Sequence, residues 1–173
     1  MIKIAPRKIY TIGYEGSTLS DFIGTLQHNS ISLLVDIREL PQSRRPGFSK
    51  KILSASLKEA GINYCHIRQL GDPKPGRDAA KRGDINEFRS IFNAHLSNDA
   101  TQTALHEVAI EAKSETIALM CYERLHQCCH RSLVADRISD IDLFQVIHLH
   151  ISANKRIIDN QNGAKNHEFI RAC

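Results

Sequence analysis

The chain has no tryptophan, and aromatic residues make up only 6% of its 173 residues. A base-stacking platform needs several exposed rings, so composition argues against a protein that grips single-stranded nucleic acid by stacking. Long apolar runs are also missing. No stretch approaches the roughly 20 residues that cross a bilayer, so no membrane partner is expected. The N-terminus, Met1-Ile2-Lys3-Ile4-Ala5-Pro6-Arg7, lacks the apolar segment of a signal peptide, and a cytoplasmic protein is expected. Thiols stay reduced in that compartment. The five cysteines are odd in number and three are clustered, which argues against a disulfide framework. No paired C-x-x-C exists, so a metal cofactor is not favoured, although the cysteine cluster is metal-competent.

What is present is ordinary globular composition, 42% hydrophobic and 24% charged, with a mildly basic net charge of +4. That charge permits an anionic partner without specifying nucleic acid. Apolar segments alternate between strand-like and helix-like, which predicts a single α/β domain over residues 1–151. The expected sheet is mainly parallel, of about five strands, with helices on both faces. The polar stretch 152–173 is expected to be a frayed tail.

Strands are predicted at Lys8–Gly13, Ile31–Ile37, Ile62–Ile67, Thr116–Cys121 and Phe144–Ile151, the last at an edge. The first helix carries Leu19, Phe22, Ile23 and Leu26 and takes Ser17 or Ser20 as its cap. Ser49 caps a second helix through Ala60, with Ile52, Leu53 and Leu57 turned inward and Gly61 as its stop. Gly71–Arg77, with two prolines, reads as an exposed and mobile loop that could serve as a lid. Two helices follow, over Ile85–Leu96 and Thr101–Lys113.

Parallel strands place their C-terminal ends on one rim, where ligands bind in open α/β sheets. That rim would gather Gly13, Tyr14 and Glu15; Asp36, Arg38, Ser43 and Arg44; Gln69, Leu70 and Gly71; and Cys121, Glu123, Cys128, Cys129, His130 and Arg131. Arg38 and Arg131 would hold an anion, with Asp36 orienting Arg38 and Gly13 and Ser43 lining the site. The competing reading of Asp36 and Arg38 is a structural ion pair.

Cys121 and Cys129 are the candidate nucleophilic or redox thiols, and Glu123 and His130 the candidate proton carriers. Cys129-His130 opens a helix, where the dipole favours a thiolate. A core role for the cysteines is the bland alternative. A zinc reading would use Cys121, Cys128 or Cys129, and His130, with Glu123 or His66 added. His148 and His150 alternate along the last strand and could reach the site. The basic residues Arg44, Arg45, Lys50 and Lys51, with Lys74, Arg77, Lys81 and Arg82, offer a face for nucleic acid as an alternative partner.

Several motifs occur in order: Thr11-Ile12-Gly13-Tyr14; Leu34-Val35-Asp36-Ile37-Arg38 with Pro41, Ser43 and Phe48; Gly61-Ile62-Asn63-Tyr64 with Leu70-Gly71; and Met120-Cys121-Tyr122-Glu123 with Cys129-His130-Arg131. Over about residues 8 to 140 the chain resembles the bacterial and archaeal family called domain of unknown function four-eight-eight. Where that family often has a second glycine after Leu70-Gly71, this chain has Asp72. The Asp-x-Arg strand end, followed by a strand ending in cysteine and then a helix, is also similar to the rhodanese layout, without its glycine-rich loop. The residues point to a thiol-dependent hydrolase or transferase acting on a small anionic or phosphate-bearing substrate. The alternatives are a nucleic-acid-associated protein and a metal-binding or redox-sensing module without turnover. Oligomeric state is not encoded in any motif.

Overall fold

The computed structural model describes residues 6–151, and the expected C-terminal tail lies outside them. Five strands form one parallel sheet: β1 (Arg7–Gly13), β2 (Leu33–Asp36), β3 (Asn63–His66), β4 (Ile117–Cys121) and β5 (Phe144–Leu149), in the order β3-β2-β4-β1-β5. Central β4 is buried along its whole length, as its unbroken apolar run Ile117-Ala118-Leu119-Met120 requires of a strand covered on both faces. Alternation divides that run. Ile117 and Leu119 enter one core and Ala118 and Met120 the other.

The second of these cores is closed by α1 (Leu19–His28) and α2 (Lys50–Glu59), through Phe22, Leu26, Leu53 and Leu57. The first is closed by α3 (Lys74–Lys81), α4 (Ile85–Leu96), α5 (Asp99–Glu111) and α6 (His130–Ile141), with Ala79, Phe92, Leu105 and Val134 among the contributors. Helices therefore cover both faces of an α/β sheet. Each fully buried Leu, Ile or Phe stabilises this arrangement by roughly 1.5–3 kcal/mol.

Four local expectations are corrected. Neither Ser17 nor Ser20 caps α1: Thr18 does, its Oγ1 accepting from the Asp21 N–H at 3.1 Å, while Ser17 donates back to the Tyr14 carbonyl. Ser49 stands at the cap of α2, but its hydroxyl is taken by the Ser43 backbone, accepting from its N–H and donating to its carbonyl. Ile52 is 55% exposed, because Leu53 and Leu57 alone of that helix's three candidates meet the core. The segment expected to be a mobile loop, Gly71–Arg77, holds the start of α3. Proline is compatible with a first helical turn, where its missing N–H has no intrahelical acceptor to serve. Gly61 does stop α2, at φ +77°, a left-handed conformation that suits glycine.

The strand order also positions the site. From β2 the chain turns toward β3, and from β4 it turns the opposite way, toward β5. β2 and β4 are neighbours, with Asp36 opposite Met120. A crevice opens where adjacent connections diverge in this way, beyond the carboxyl ends of the strands. Arg38 and Glu39 flank it on one side, and Tyr122 and Glu123 on the other.

Candidate functional site

Asp36 ends β2 fully buried and organises the floor of the crevice. Its Oδ1 accepts from the Arg38 backbone N–H at 3.1 Å and from Arg38 Nε at 2.8 Å. Its Oδ2 accepts from Arg38 Nη2 at 2.5 Å and from the Tyr64 hydroxyl at 2.6 Å. Arg38 Nη1 donates to the Tyr14 hydroxyl at 3.0 Å and to the Phe48 carbonyl at 2.9 Å. Four side-chain donor bonds of a guanidinium that has about five N–H groups are therefore committed within the protein. Burial opposes the Arg38 charge, but hydrogen bonding and attraction to Asp36 outweigh it and hold the group above its ordinary value. Burial, then the bond to Asp36, pushes the Tyr64 phenol up.

Cys121 ends β4, and Cys129 caps α6, its Sγ accepting from the Arg131 N–H at 3.4 Å. The two sulfurs lie against each other while the α-carbons stand 7.5 Å apart. That backbone separation is wider than the range of about 4.4–6.8 Å usual for a disulfide, so we read the pair as adjacent thiols. Arg131 is 1% exposed. Its Nη1 donates to Cys121 Sγ at 2.9 Å and to the Glu123 carbonyl, its Nη2 to the Arg124 carbonyl at 3.0 Å, and its Nε to Thr11 Oγ1 at 3.3 Å. Burial lowers the guanidinium to about 10, with Glu123 opposing the shift. Arg131 thus clamps the turn after β4 and lines neither chamber of the crevice described below. Gly13 lies beside it, where a Cβ would overlap the Glu123 carbonyl and Arg131 Nη1. This glycine permits close packing and lines neither chamber. Arg38 and Arg131, expected to share one anion, therefore do not meet in one chamber: Arg38 lines the first and Arg131 lines neither.

His130, the first residue of α6, meets Cys129 directly. Its Nε2 is 2.8 Å from the Ile37 carbonyl, and its Nδ1 is 3.7 Å from Cys129 Sγ. A carbonyl only accepts, so Nε2 carries the hydrogen and neutral Nδ1 presents its lone pair to the thiol. Burial lowers the imidazole to about 4 and so keeps it neutral.

The crevice has two chambers. One, of 340 Å³, is lined by Arg38, Glu39, Leu40, Gln42, Ser43, Arg44, Arg45 and Tyr122. The other, of 390 Å³, reaches Cys128 and Cys129. Asp72, Arg77, Glu123 and His130 line both. Arg45 Nε, Asp72 Oδ1 and Glu123 Oε2 are buried here without a hydrogen-bond partner. Burial pushes the Glu123 carboxyl up, with Arg131 opposing. Burial also pushes Asp72 up to about 7; Arg77 opposes this, and Glu123 and Glu39 add to it. Asp72, Arg45, Arg77 and Tyr122 were not singled out by sequence as residues of the site itself. The clue was available for Asp72, the one position noted as departing from the family pattern.

Cys121, Glu123 and Cys129 bring ligand atoms within 4.8 Å of one another and could accept a metal on donor chemistry alone. A cation is already supplied there by Arg131. His130 and His66 are turned to the Ile37 and Arg38 carbonyls, outside that group. His148 stacks on His126 with ring centroids 3.6 Å apart and contacts Thr11 Oγ1 at 2.8 Å; His150 lines a separate small cavity. Burial, then His126, lowers His148 to about 4. Lys81, which lines the second chamber, pairs with Asp78, and Arg82, outside the crevice, with Glu87. Arg77 pairs with Glu39.

This arrangement lies largely within one family match, to the model described as Domain of unknown function DUF488, over residues 18–138. The chain belongs to that family. DUF488 carries no assigned activity in its description, so membership leaves the chemistry to be argued from the site. No curated protein and no solved structure matches the chain.

Proposed function

We propose that this DUF488 protein is a thiol-dependent hydrolase or transferase acting on a small phosphate-bearing substrate. The observation that carries the reading is the relay Cys129 Sγ, His130 Nδ1, His130 Nε2, Ile37 carbonyl, opening onto the crevice. A nucleophile beside a base that a third group orients is the arrangement thiol catalysis requires. Cys129 is preferred to Cys121 because it lines the second chamber and Cys121 lines neither. Cys121 and Arg131 support it from behind.

In this reading Arg44, Arg45 and Arg77 hold the anionic group, in place of the pairing of Arg38 with Arg131. Arg38 instead shapes the floor, with Asp36, and Ser43 orders the loop by accepting the Arg45 N–H at 3.1 Å. The Cys129 thiol passes its proton to His130 Nδ1, and the sulfur attacks the electrophilic carbon or phosphorus of the substrate. Protonated Glu123 donates to the departing group as its bond breaks. Water, or an acceptor hydroxyl, then gives its proton to the Glu123 carboxylate and displaces the sulfur, which recovers its proton from His130.

The test is alkylation with iodoacetamide at pH 6.5, mapped by mass spectrometry, with and without inorganic phosphate. Cys129 is expected to label ahead of Cys65, whose thiol burial pushes up. Phosphate should protect it. The His130→Gln variant keeps a donor for the Ile37 carbonyl and should label Cys129 about tenfold more slowly. Labelling of Cys129 no faster than Cys65, indifferent to His130, would retire the thiol mechanism.

A further inference from the structure

The lining of the first chamber is of two chemical kinds. Arg44 is exposed, and Arg45 is anchored by Nη2 to the Ser17 carbonyl at 2.5 Å while its buried Nε has no partner. A phosphate oxygen would satisfy that orphan donor and take a charge-assisted hydrogen bond from it. The other kind is apolar and open: Leu40 is 57% exposed and Tyr122 is 43% exposed. Tyr122 is braced, its ring edge-to-face with Tyr14 at 5.3 Å, and Tyr14 in turn stacks on Phe48 at 4.4 Å. A ring held at a cavity mouth by two others is a ready surface for a flat aromatic partner. Gln42, which lines the same chamber, carries both donors and an acceptor suited to the edge of a base.

Resting on the reading of this crevice as a substrate site, we propose that its ligand is a mononucleotide, with the phosphate on Arg44 and Arg45 and the base against Tyr122 and Leu40. The volume of 340 Å³ lies near the lower bound of small-molecule sites and suits one nucleotide. Among the described residues Tyr122 is the one exposed large aromatic side chain, so a single base can stack here. A strand of nucleic acid would want a series of such rings along a basic groove.

Titration calorimetry with the full chain decides this, using AMP, GMP, CMP and UMP against ribose 5-phosphate, inorganic phosphate and a 12-mer oligonucleotide. At least one mononucleotide is expected to bind about tenfold or more tighter than ribose 5-phosphate, the advantage one stacked base provides. Tyr122→Ala should erase that advantage and leave phosphate binding unchanged, whereas Arg45→Ala should weaken nucleotide and phosphate alike. The inference is overturned if ribose 5-phosphate matches every nucleotide, if Tyr122→Ala changes nothing, or if the oligonucleotide binds far more tightly than all four. In those cases phosphate that still protects Cys129 would leave the thiol mechanism standing. Phosphate that neither binds nor protects would overturn both.

Discussion

His130 gives its Nε2 hydrogen to the Ile37 carbonyl at 2.8 Å, a bond that joins the start of α6 to the end of β2. The bond selects the tautomer, and the tautomer makes Nδ1 a base. Nitrogen-detected NMR of the imidazoles should show His130 protonated on Nε2 alone at pH 7. Its lowered value also sets a slope. The unfolded histidine titrates near 6.5 and the folded one near 4, so native stability is lost as pH falls through that interval. His130→Gln should flatten this loss, worth up to about 3 kcal/mol, in melts between pH 7 and pH 4. An unchanged acid slope would mean that His130 is not held neutral.

Asp72 should act in the opposite direction. Its folded carboxyl titrates near 7 and its unfolded one near 3.8, so the native state binds the proton more tightly and loses stability as pH rises between those values. Asp72→Asn should match the parent below pH 4 and exceed it by up to about 4 kcal/mol at pH 8. Thermal melts across that range check the sign. A variant that is less stable at pH 8 would show that the carboxylate is compensated in the native protein.

The two motif arginines should behave as structural residues. Arg131→Ala leaves the Glu123 and Arg124 carbonyls without their guanidinium donor and should cost about 3–5 kcal/mol. Arg38→Lys loses the fork on Asp36 and should lower the melting temperature by several degrees. In the Arg38→Lys variant, stabilisation by added phosphate should equal the parent's. Loss of that response would return Arg38 to the anion site.

Gly13→Ala should destabilise by at least about 1–3 kcal/mol, since the new methyl overlaps backbone that β1 and the turn after β4 both hold in place. Urea denaturation measures it. A neutral result would mean that the turn at Glu123 yields easily, and would weaken Arg131's role as its clamp.

Much of this protein was legible in one dimension, for a local reason. A strand or helix records its burial as a repeat of apolar side chains, and the unbroken run at β4, the 3.6-residue spacing in α4 and the switch between them were enough for five strands and an α/β fold. The predicted bounds of α4, Ile85–Leu96, agree with the structure. Helix α3 escaped because Pro73 and Pro75 read as breakers, while their position, at the cap and in the first turn, depends on where the helix starts.

The cysteine motif likewise marked which residues would gather near the strand ends, and Cys128, Cys129, Glu123 and His130 do line the crevice. Which arginine is free to meet a ligand could not be read there. Arg131 and Arg45 look equally available in sequence. One is enclosed by Cys121, Thr11 and two carbonyls contributed from separate segments, and the other is left with a buried Nε facing no partner. Sequence by itself determined most of the elements, the sheet class and the candidate reactive residues. Only the tertiary structure, by bringing β2, β4 and α3 around one crevice, decided which of those groups are spent on one another and which are left without a partner there. Hydrogen bonding saturates: a donor used inside the fold is lost to the ligand.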